Sequence, residues 1–191
     1  MIISKQLTAT VLLLALSSIA CLAQEVLPEE TLSSDKIIKI TAEEYAFQAP
    51  SEVTSGWNTF RMNNDGEETH LLFFTRLPEG KTFDNYMGEV AVQFVDLMDG
   101  LKAGEFSQEE APGMMVRSIP QWFGDAVRMG GVGIMEAGGS SQVTMKLEPG
   151  NYFLECYMKT EEGDFHAMEG MARPLTVIPP NHPVTLHPRR M

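Results

Sequence analysis

Through most of this chain apolar side chains recur at every second position, in short runs closed by turn residues, and that period commits the backbone to strands with one face on a core. Trp57-Asn58-Thr59-Phe60-Arg61-Met62 alternates large apolar with polar residues, and Asn63-Asn64-Asp65-Gly66 supplies the turn that ends it. His70-Leu71-Leu72-Phe73-Phe74 is a more continuous apolar strand with His70 at its start. Ile37 to Thr41 and Tyr45-Ala46-Phe47 precede these runs. Val143 to Leu147, Tyr152 to Met158 and Ala172 to Ile178 follow, with Glu148-Pro149-Gly150-Asn151 as a tight connection. About seven or eight short strands of this kind predict an all-β, Greek-key β-sandwich.

One stretch breaks the pattern. Phe83, Tyr86, Met87, Val90, Phe94, Leu97, Met98 and Leu101 follow spacings of three and four, which gives an amphipathic helix with Thr82 as N-cap and Gly104 as stop. A second, shorter helix is predicted from Ser118 to Met129, with Pro120 in its first turn and Gly130-Gly131 ending it. The sandwich therefore carries a helical insertion over about residues 82–129.

The ends read differently. Lys5, the apolar run Val11 to Leu16 and the small-residue stretch ending at Ala23 form a signal peptide, residues 1–23, and predict export to the periplasm or beyond the cell. Ile19-Ala20-Cys21 resembles the end of a bacterial lipoprotein cleavage box, in which Cys21 would carry a lipid anchor. Ser18 stands where a large aliphatic residue is usual, so cleavage after Ala23 is the reading taken. Residues 24–35 are a flexible segment, 36–178 the domain and 179–191 a proline-rich tail. No stretch approaches the length of a membrane span.

Removing the leader leaves 168 residues (191 minus 23), enough for one domain with its own core. The leader holds one lysine and no acid, so the remainder carries 13 basic and 26 acidic residues, a net charge of −13. That sign argues against nucleic acid and anionic membranes as partners. It keeps an exported protein soluble, and the partner class it would steer is a basic redox protein.

A single cysteine, Cys156, remains outside the leader, in a compartment that usually pairs cysteines. Such a thiol is buried, metal-bound or paired with another molecule. His70, His166 and Met171 complete a soft-ligand set with it, for thiolate, imidazole and a weak axial thioether are the donors of copper electron-transfer sites. Each residue also has a plainer explanation. His70 at a strand edge can bond a backbone carbonyl, Cys156 can be ordinary core, His166 can belong to a packed corner, and Met168 competes with Met171 for the axial place.

The order of elements resembles the exported bacterial branch of the cupredoxin-like, type 1 blue copper family. The resemblance lies in Ile40 to Phe47, in Asn63-Asn64-Asp65-Gly66 before His70, in Leu147-Glu148-Pro149-Gly150-Asn151-Tyr152 leading to Cys156, and in Phe165-His166 to Gly170-Met171. It spans about residues 36–178. It implies one copper ion, held by His70 from an early strand and by Cys156, His166 and Met171 from the loop between the last two strands, and single-electron transfer as the function. His166, at the sandwich end, would be the exposed edge through which electrons leave. Nine residues separate Cys156 from His166 where that family usually has only a few, so either Lys159 to Asp164 forms a small hairpin that returns His166 to the metal or the chain is a relative that has lost it.

No enzyme is indicated. The chain has four histidines, no Gly-x-Ser-x-Gly elbow and no phosphate loop, and Glu67-Glu68 and Glu161-Glu162 read as solvated turn acids. His182 and His187 lie in the tail and receive no role. Two alternatives to electron transfer stay open: a metal-free binding module whose insertion makes a surface, and Cu(I) carriage through the many methionines.

Overall fold

A computed structural model describes residues 37–180, so the leader with Cys21, residues 24–36 and His182 and His187 of the tail lie outside the described residues. Among the described residues nine strands form: β1 (Ile37–Glu43), β2 (Ala46–Gln48), β3 (Glu52–Thr54), β4 (Gly56–Asn64), β5 (His70–Arg76), β6 (Val127–Met135), β7 (Ser140–Leu147), β8 (Gly150–Glu155) and β9 (Ala172–Ile178). They make a four-stranded sheet in the order β2-β1-β4-β7 and a five-stranded sheet in the order β3-β9-β8-β5-β6. Two pairs, β1 with β4 and β3 with β9, are parallel, and the others are antiparallel. Most sheet neighbours are not consecutive in the chain, as a Greek key requires.

Alternation explains the sandwich. Phe60 and Met62 of β4 face Leu72 and Phe74 of β5 across the two sheets, and the Phe60 and Phe74 rings stand 4.7 Å apart. Each of these side chains is essentially sealed from water, which stabilises the fold by about 1.5–3 kcal/mol apiece. The all-β sandwich with a helical insertion is the fold observed. Among the described residues, no helix is long and apolar enough to cross a membrane.

The insertion is helical from Phe83 to Ala103, in three joined pieces: α1 (Phe83–Asn85), a π-helical turn (Tyr86–Ala91) and α2 (Val92–Ala103). The predicted ends hold. The Thr82 hydroxyl caps the first turn, and Gly104 closes the last in the left-handed conformation, φ 71°. Tyr86 and Val90 sink into a second apolar cluster on the outer face of the five-stranded sheet, where Phe153 of β8 stacks on Tyr86 with ring centroids 4.0 Å apart.

The second predicted helix is displaced. The chain instead forms α3 (Ala111–Ser118) and a 3-10 turn (Gln121–Asp125), and residues 127–129 already belong to β6, so the insertion is helical only as far as Asp125. Gly130-Gly131, predicted as a helix stop, lies inside that strand. β6 passes so close to β5 that a Cβ on Gly131 would fall 1.9 Å from the Leu72 carbonyl oxygen, a contact that only glycine permits. Gly131→Ala should therefore push β6 off β5 and lower stability by about 2 kcal/mol or more, read as a reduced urea midpoint. An unchanged midpoint would contradict the approach described.

Candidate metal centre

Three separate pieces of backbone bring the site together. His70 opens β5, so its side chain points into the sandwich end, and the neighbouring Leu71 amide donates to Cys156 Sγ at 3.4 Å. Cys156 directly follows β8, where alternation turns it inward beside Leu154. The loop from Cys156 to Met171 is pinned by its own amides. Cys156 N–H donates to the Met171 carbonyl (3.0 Å), Ala167 N–H to that of Cys156 (2.8 Å), His166 N–H to that of Met158 (2.9 Å) and Met171 N–H to that of His166 (2.9 Å).

The long spacing is absorbed as required. Lys159 pairs with Phe165 in an isolated antiparallel bridge, and Thr160 N–H bonds the Asp164 carbonyl at 2.8 Å. The extra residues thus form a small excursion whose two ends meet. His166 is returned beside Cys156, and an ion pair from Lys102 of α2 to Asp164 holds the tip against the insertion.

His70, Cys156, His166 and Met171 are 0, 0, 1 and 0 % exposed. One donor atom from each of His70, Cys156 and His166 lies within 4.8 Å of the others. His70 Nδ1 is 3.1 Å from His166 Nδ1, and Cys156 Sγ is 3.6 Å from His166 Nδ1. Nitrogen and sulfur donors about 2.0–2.3 Å from one ion, spread at about 120°, stand about 3.5–4 Å apart. The Cys156 to His166 spacing falls within that range, and the two imidazole nitrogens, at hydrogen-bonding distance from each other, stand slightly closer. Met171 packs in the same buried cluster as Cys156, whereas Met168 packs against the insertion. That distribution favours Met171 over Met168 as the thioether beside the thiol.

Behind the rings sit two carboxylates, Glu44 and Glu68, of which the sequence marks Glu68 only as a solvated turn acid. Glu44 Oε1 lies 3.3 Å from His70 Nε2 and also accepts the Glu67 and Glu68 amides at 2.7 and 2.8 Å. Gly66 makes this approach feasible, since a Cβ there would fall 2.2 Å from Glu44 Oε1. Glu68 Oε2 lies 3.0 Å from His166 Nε2, near enough for a charge contact although poorly aligned with the ring N–H. Its other oxygen accepts the Tyr45 hydroxyl at 2.8 Å, and the Tyr45 ring tilts against His166 at 4.8 Å between centroids. His166 is thus covered rather than exposed. The expectation that its edge meets solvent is overturned because Tyr45 and Glu68 close over it.

Electrostatics follow from burial and these partners. The Glu68 and Glu67 amides outweigh desolvation and hold the Glu44 carboxyl below the usual carboxylate range. Burial, helped by the nearby His70, lowers the His166 pKa and so favours the neutral, ligating imidazole. Burial also raises the Cys156 thiol. The hydrogen bond to Glu68 pushes the Tyr45 hydroxyl up to about 12.

No protein-family model and no curated protein matches the chain. Among solved structures it is similar to Na-dithionite reduced auracyanin from the photosynthetic bacterium Roseiflexus castenholzii, at 19% identity over 75% of this chain and 98% of that one, with a TM-score of 0.41. It is similar to auracyanin A, a "blue" copper protein from Chloroflexus aurantiacus, at 19% identity over 74% and 97% of the two chains, with a TM-score of 0.41. A blue copper oxidase from Nitrosomonas europaea matches at 17% identity over 79% of this chain and 41% of that one, with a TM-score of 0.39. At this level of similarity the chemistry has to be read from the side chains themselves.

Proposed function

We propose that the chain is an exported, cupredoxin-like carrier of single electrons in which His70 Nδ1, His166 Nδ1 and Cys156 Sγ would hold one copper ion, with the Met171 thioether as a weaker fourth donor. The observation that carries this reading is the convergence of three metal-ligating donors, all sealed from water, within 4.8 Å of one another. Bound copper would supply a one-electron couple. The chain's own part is to keep both imidazoles and the thiolate in one arrangement for either oxidation state. The Leu71 amide partly neutralises the thiolate, and the loop amides restrain it, so little rearranges when charge changes. Glu44 and Glu68 orient the rings from behind, the place where histidine ligands usually find a carboxylate. The half-buried Tyr45 ring is the group lying between His166 and solvent, and a redox partner would dock over it.

The absence of catalytic motifs in the sequence supports a carrier rather than an enzyme, and the predicted leader supports export. Among the described residues, the metal candidates form this one cluster. Equilibrium dialysis against buffered Cu(II), with elemental analysis, should find one copper per chain. In Glu68→Gln the affinity should fall about 10- to 100-fold, the usual cost of losing an outer carboxylate. Failure of the native chain to retain copper would leave the metal-free binding module as the reading.

A further inference from the structure

The alternation of β8 that turns Leu154 and Cys156 inward turns Phe153 and Glu155 outward, beneath the helical insertion. There a cavity of about 320 Å³ lies between the sheet and the insertion, walled by Phe73, Phe94, Phe165 and Met168, with Glu155, whose carboxyl burial pushes up to about 7, and Arg128 as its ionisable groups. A cavity of about 150 Å³ accommodates benzene, so this one has room for one or two rings. A carboxyl among aromatic rings costs stability unless it has partners. Glu155 Oε2 accepts the Tyr86 hydroxyl at 2.9 Å, which leaves Oε1 for a guest.

The charges narrow the guest. Arg128 already covers the Phe123 ring, with its guanidinium carbon 5.1 Å from the centroid, so an organic cation would meet a like charge where it would otherwise find an aromatic face. An anion would meet Glu155. A neutral, flat molecule with a hydrogen-bond donor meets neither obstacle. We infer that this cavity is a second binding site, for a small phenol whose hydroxyl donates to Glu155 and whose ring packs among Phe94, Phe165 and Met168. The site is separate from the copper reading and needs no metal.

The test is an amide NMR titration of the metal-free full chain with 4-methylphenol, 4-methylanisole and tetramethylammonium. The phenol should bind saturably, one per chain, with shifts centred on Phe94, Glu155 and Phe165. It should bind at least about tenfold more tightly than the anisole, which lacks the donor. Glu155→Gln can still accept from Tyr86 but turns an amide N–H toward the guest, and should weaken the phenol about tenfold or more. Equal affinity for phenol and anisole, tighter binding of tetramethylammonium, no saturation, or unchanged affinity in Glu155→Gln would each overturn the inference. If Glu155→Gln does not fold, the comparison of phenol with anisole on the native chain decides. Copper retention is measured separately, so either reading can fail without the other.

Discussion

Cys156→Ser is expected to abolish the intense visible thiolate-to-copper band that the native chain should develop with Cu(II), while leaving the sandwich folded. Serine is close to cysteine in size, and its hydroxyl can take the place of Sγ as acceptor for the Leu71 amide. The variant nevertheless lacks the soft, readily ionised donor, since a hydroxyl stays protonated at neutral pH. His70 and His166 alone would bind copper weakly and without the sulfur-to-metal transition. Absorption spectra with Cu(II), together with urea unfolding of both proteins, check this. Colour that persists in the folded variant would show that another group is the donor.

Phe153→Ala is expected to lower stability by about 3–5 kcal/mol, the range for truncating a buried aromatic ring. Phe153 is 0 % exposed and stacks on Tyr86 at an interplanar angle of 19°, with Phe83 6.2 Å away on the same face. Its ring joins the five-stranded sheet to the start of the insertion, so its loss opens a cavity and also frees Tyr86, the donor to Glu155. The inward side of β8 keeps Tyr152 and Leu154, and the candidate ligands Cys156 and Met171 pack on that side. The unfolding midpoint should drop sharply while copper binding by the remaining folded protein is retained. A loss below about 1 kcal/mol would mean that the insertion is not anchored at this ring.

The sequence made the sandwich legible because alternation is a direct imprint of a half-buried strand, and β4, β5 and β9 fall where it placed them. The candidate ligands were legible for a different reason: histidine and cysteine are so scarce here that their order along the chain carries information. What escaped depends on tertiary approach. Gly130-Gly131 resembles a helix stop in sequence, yet Gly131 is a strand residue dictated by the nearby Leu72 carbonyl. Glu68 reads as a turn acid, and only the return of the Met158 to His166 loop shows it against an imidazole. The burial of His166 was illegible for the same reason, because its cover, Tyr45, comes from 121 residues earlier in the chain (166 minus 45). Long-range pairs of this kind leave no periodic trace.

The most direct measurement is a Cu(II) titration of the native chain followed in the visible range. An intense thiolate-to-copper band that rises linearly and stops at one copper per chain is the predicted result. A chain that stays colourless, or that takes up copper with no such band, would contradict a centre built on Cys156, His70 and His166.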